Sequence, residues 1–133
     1  MKTILWYHRC TAYYFYRSQL LLGAGNAVWG TVVTTAACIL INLFSLTLLL
    51  KLVLGRSVFP ESESSSPILG AVAVVTLLNY LYLSFGGRFA SIAKEFESEP
   101  RPSATKHKWL TGSYFVLSFV VLVMLLGAVE RTH

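Results

Sequence analysis

The chain has 133 residues, of which 55% are hydrophobic and only 13% charged. A soluble domain carries roughly 25% charged residues, so this chain cannot cover its own surface with charge and must set apolar area against something other than water. The net charge of +5 sits beside apolar runs, which argues against nucleic acid and for anionic lipid and topology control.

Residues 1–29 form an aromatic and basic segment. The stretch YHRCTAYYFYRSQ, Tyr7 to Gln19, holds Tyr7, Tyr13, Tyr14, Phe15 and Tyr16 with Arg9 and Arg17. On a helix Lys2, Trp6, Arg9, Tyr13, Tyr16 and Arg17 share a sector of roughly 100°. Aromatic rings all round with a basic stripe suit the headgroup zone, so this segment is expected to be an interfacial amphipathic helix, or a docking platform for lipid or a partner. GAGNAVWG, residues 23–30, offers a hinge or a close packing site.

Three windows are long enough to cross the hydrocarbon core, which takes about 20 helical residues. The first is 30–54, charge-free over 31–50 and running past Lys51. In lipid the backbone must satisfy itself, so the β-branched residues in these runs do not argue for strand. A cleaved signal is not expected, because about thirty residues precede the run and it exceeds a signal's apolar stretch of roughly 7–15. Its polar residues Thr31, Thr34, Thr35, Cys38, Asn42 and Ser45 fall on one face. Gly30, Thr34, Cys38 and Asn42 recur every fourth position, a spacing that lets helices approach closely.

Residues 55–66, Ser-rich and Pro-bounded, read as a short external loop. The second span is 67–87, with Thr76, Asn79 and Tyr80 on a shorter polar face. Asn42 and Asn79 are expected to bond to each other across the first two spans. The alternative is that the Thr31-to-Ser45 face lines an oligomeric pore.

Residues 88–108 form the second cytoplasmic piece. Phe85, Phe89, Ile92 and Phe96 recur at i, i+4, i+7 and i+11, within about 60°. This predicts a short amphipathic extension of the second span, ending at Pro100 and Pro102. Its stripe covers the first segment, lies on lipid or binds a partner. Ser103 or Thr105 is the expected N-cap of the next helix, with Lys106, Lys108 and Trp109 as interface anchors. The third span is 109–129, mostly apolar, followed by a tail at 130–133.

Eight cations, Lys2, Arg9, Arg17, Arg88, Lys94, Arg101, Lys106 and Lys108, lie on one side of the spans; Lys51, Arg56 and Arg131 lie on the other. The excess places the N-terminus in the cytoplasm and the C-terminus outside, in a cell membrane such as a bacterial inner membrane. No ionisable residue lies deep in a span, which argues against proton-coupled transport and voltage sensing. His8, His107 and His133 show no metal spacing, and Cys10 and Cys38 are too few for a disulfide framework. No catalytic motif is present.

The expected fold is therefore an all-α integral membrane protein with three transmembrane helices. The expected function is non-enzymatic and cofactor-free: a small subunit or scaffold that assembles with itself or with other membrane proteins in the bilayer. The alternative is a homo-oligomeric channel or pore-forming effector. Helix contacts are expected from the faces of the first two spans. Docking is expected from Trp6, Arg9, Tyr13, Tyr16, Arg17, Phe89, Ile92 and Phe96.

Overall fold

The computed structural model describes residues 2–23, 25–55 and 66–131. All elements among these residues are helical: α1 (Lys2–Leu21), α2 (Ala27–Leu54), α3 (Ser66–Ser84), a 3₁₀ turn (Phe85–Gly87), α4 (Arg88–Glu97) and α5 (Arg101–Arg131). The expected external loop, apart from Gly55 and Ser66, lies outside the described residues, as do Arg56 and His133. Three of the helices are long and apolar enough to cross a membrane: α2, the α3–α4 stretch and α5.

Local sequence sets the helix ends. Asn26 caps α2 by accepting from the Trp29 N–H at 3.1 Å, so the helix starts at Ala27, three residues before the expected start of the span. Between α1 and α2 the approach is close. A Cβ on Gly30 would meet the Gln19 side chain at 3.1 Å, so a side chain there would force Gln19 aside.

Two boundaries differ from the sequence expectation. The α4 helix does not extend α3 in one piece. Gly86 and Gly87 adopt φ of 66° and 70°, left-handed values that side chains with a Cβ resist, and they break the helix. The second difference is α5, which begins at Arg101, ahead of Ser103 and Thr105. Pro102 is tolerated because the first-turn N–H groups lack intrahelical partners anyway. At 31 residues, α5 is about 46 Å long at 1.5 Å per residue, and Lys106, Lys108 and Trp109 lie in its second and third turns.

The core sits at one end of the molecule. Cys10, Ala12 and Tyr13 of α1 pack with Val32, Leu83, Ile92 and Phe96, and with Trp6, Tyr14, Tyr82, Phe89 and Ala93 around them. Along the rest of the spans the reverse holds. Only 17%, 11% and 6% of the most apolar windows of the three long helices are buried, so their apolar surface needs an apolar surrounding. α3 and α5 both pack on α2 and make no extended contact with each other. The three long helices thus form an open row.

Candidate functional site

The polar face of α2 is used inside the chain. Thr31, Thr35, Cys38 and Ser45 are 0%, 1%, 2% and 7% exposed, with Thr34 and Asn42 half-buried. The threonines return their hydroxyls to the helix: Thr31 Oγ1 donates to the Ala27 carbonyl at 2.7 Å, Thr34 to Gly30 at 2.8 Å and Thr35 to Thr31 at 2.7 Å. Thr31, Thr35, Cys38 and Ser45 are thus turned inward, while Thr34 and Asn42 keep part of their surface. Of the α3 face, Asn79 is buried and Thr76 half-buried, while Tyr80 is exposed with its ring edge-on to Trp29 at 5.8 Å.

Asn42 and Asn79 both bond across helix interfaces, but not to each other. Asn79 Nδ2 donates to Thr35 Oγ1 at 2.6 Å and to the Val32 carbonyl at 2.8 Å. Its Oδ1 is 3.0 Å from His8 Nε2. With both amide protons committed to acceptors, Oδ1 must accept, which fixes His8 with its proton on Nε2. One amide therefore joins α1, α2 and α3. Burial holds the His8 pKa below its usual value, and the bond to Asn79 offsets part of that shift.

The second asparagine ties α2 to α5. Asn42 Nδ2 donates to the Tyr114 hydroxyl at 2.6 Å and to the Cys38 carbonyl at 2.8 Å. Thr111 and Ser118 on the same helix are buried. Reading 109–129 as mostly apolar missed this face. Its signal was the spacing of Thr111, Tyr114 and Ser118, three and then four apart, which aligns them on one helix face.

The aromatic and basic residues expected at the headgroups or on a docking surface largely face α4. Tyr13 stacks on Phe96 with centroids 5.4 Å apart, Tyr16 meets Phe89 edge-on at 4.9 Å, and Trp6 lies 5.9 Å from Phe96. Arg9 pairs with Glu95 at 3.3 Å. Tyr13, Ile92 and Phe96 are buried, so they present nothing to a partner. The physical reason is complementarity: the apolar stripe on α4 needs a cover, and the rings of α1 supply it. Arg17, Lys106, Lys108 and Trp109 remain exposed.

Glu99 ties α1 to the start of α5 beside this contact. One carboxylate oxygen accepts from the Tyr14 hydroxyl at 3.0 Å, and the other pairs with His107 Nδ1 at 2.6 Å. Trp6 packs edge-on against the His107 ring at 4.9 Å. Burial and then the Glu99 charge raise the Cys10 thiol to about 11. Burial and the bond to Glu99 likewise raise the Tyr14 phenol.

Among the described residues no three His, Cys or Glu side chains come together as a metal-ligand set. The arrangement chiefly locks helices together through shared hydrogen bonds. No protein-family model, curated protein or solved structure matches the chain.

Proposed function

We propose that this chain is a small, non-enzymatic integral membrane subunit that assembles laterally with copies of itself or with other membrane proteins. The observation that carries the reading is the open row. α3 and α5 flank α2 without packing on each other, and both outer flanks are apolar. On α3, Ile68, Leu69, Leu77 and Leu78 are 57–66% exposed; on α5, Leu117, Phe119 and Met124 are 54–69% exposed. Space is open around Gly70, Gly112 and Gly127, which lets another helix come near. The distribution of Lys and Arg supports an N-terminus in the cytoplasm, with α1 and α4 as a collar at the inner surface of a cell membrane. The exposed Ala90, Ser91, Lys94 and Glu97 of α4 then offer its docking face.

The test is the mass of the native particle extracted in mild detergent, with co-purifying chains identified. A discrete homo-oligomer or a stoichiometric complex is expected, weakened by Gly112→Trp or Leu77→Trp on the flanks. A lone monomer in every mild detergent and in nanodiscs would reject the reading.

A further inference from the structure

We propose that a cavity between α1, α2 and α5 holds one acyl chain of a bilayer phospholipid, with the lipid phosphate resting against Lys106 and Lys108. The cavity measures about 580 Å³, within the range of roughly 300–1,000 Å³ typical of ligand sites. Leu5 and Tyr7 of α1, Cys38 and Ile39 of α2, and Leu110 and Tyr114 of α5 are among its walls. Leu5, Tyr7, Leu110 and Tyr114 are 40–47% exposed, so the cavity opens on the outside of the helix row. That surface is shared by α1 with α2 and α5; the latter two are apolar enough to cross a membrane, and with them in a bilayer the medium beside the cavity is hydrocarbon.

The chemistry of the wall selects the occupant. No Lys, Arg or Glu lines it, so a charged headgroup would be unpaired inside, at high cost, and stays at the mouth. Three of the polar groups on the wall already have partners: Thr35 takes its proton to Thr31 and accepts from Asn79, Tyr114 accepts from Asn42, and His8 bonds Asn79. The rest of the lining is mainly apolar, which fits a hydrocarbon chain whose head stays outside. Lys106 lies four residues before Leu110 and Lys108 three before Thr111, so each shares a helix face with a wall residue. Both are exposed and available to a phosphate.

The test reconstitutes the full chain in vesicles of phosphatidylcholine and phosphatidylglycerol. A trace of phosphatidylglycerol carries a photoreactive diazirine in one acyl chain, and adducts are mapped by mass spectrometry. Adducts are expected at Tyr7 and Ile39 as well as on the open flank at Leu69. Ile39→Trp or Thr11→Phe, each filling the cavity, should abolish adducts at Tyr7 and leave Leu69 labelled; whichever variant keeps its circular-dichroism melt is used. Lys106→Gln with Lys108→Gln should lower labelling at Tyr7 several-fold and leave Leu69 unchanged. Flank labelling without Tyr7 and Ile39, Tyr7 labelling that survives filling, or Tyr7 labelling unchanged by the two lysine substitutions would overturn the proposal. No adducts anywhere would overturn membrane insertion along with it.

Discussion

His8 and Asn79, 71 positions apart in sequence, meet at 3.0 Å between Nε2 and Oδ1. Because the Asn79 amide also donates to Thr35 and Val32, this contact completes a three-helix junction. A buried amide of this kind favours one helix arrangement, since any slip leaves polar atoms unpaired in an apolar setting.

Replacing the amide should weaken the bundle. Asn79→Ala removes three bonds at once and leaves the His8 donor unpaired. We expect a loss of about 1–2 kcal/mol, the upper end for interhelical bonds in membranes. Reversible unfolding in mixed micelles measures it. A loss indistinguishable from zero would mean the junction is incidental to stability.

The same junction makes stability depend on pH. Burial lowers the His8 pKa in the folded chain, so over acidic pH the unfolded chain binds the proton that the folded chain refuses. Stability should hold level above the unfolded value of about 6.5 and decline as pH falls below it towards the folded value. His8→Gln keeps a donor for Asn79 and carries no titrating group. It should remove this part of the slope, as seen by comparing melts of the two proteins across acidic pH.

Asn42 and Tyr114 form a simpler pair. Tyr114→Phe removes one acceptor and leaves Asn42 bonded to the Cys38 carbonyl, so the expected cost is about 0.6 kcal/mol. A double-mutant cycle with Asn42→Ala isolates the pair's coupling. Coupling near zero would assign the tie between α2 and α5 to packing alone.

The collar should govern thiol chemistry. With its pKa near 11 and its side chain buried, Cys10 should resist N-ethylmaleimide at neutral pH, since the thiolate is the nucleophile. Phe96→Ala opens the stacked core against Tyr13 at a cost of about 3–5 kcal/mol. It should raise the Cys10 modification rate at least tenfold, read by mass spectrometry in a Cys38→Ala background. An unchanged rate would show that α1 stays docked without Phe96.

The sequence by itself determined the helical class and the three helices long and apolar enough to cross a membrane, because run length and the absence of charge favour a self-bonded helical backbone in an apolar surrounding. It also determined which faces would carry polar atoms: Thr31, Thr35 and Cys38 recur with helical period and lie buried. The period of Phe89, Ile92 and Phe96 likewise marked an amphipathic helix in need of a cover. Only the tertiary structure decided the partners. Asn79 chose His8 and Thr35 over Asn42, and the aromatic stripe of α1 turned to α4. Periodicity fixes a side chain's angle around its own helix. It leaves open the crossing, depth and neighbours that the Gly86–Gly87 break and the close approach at Gly30 set in three dimensions.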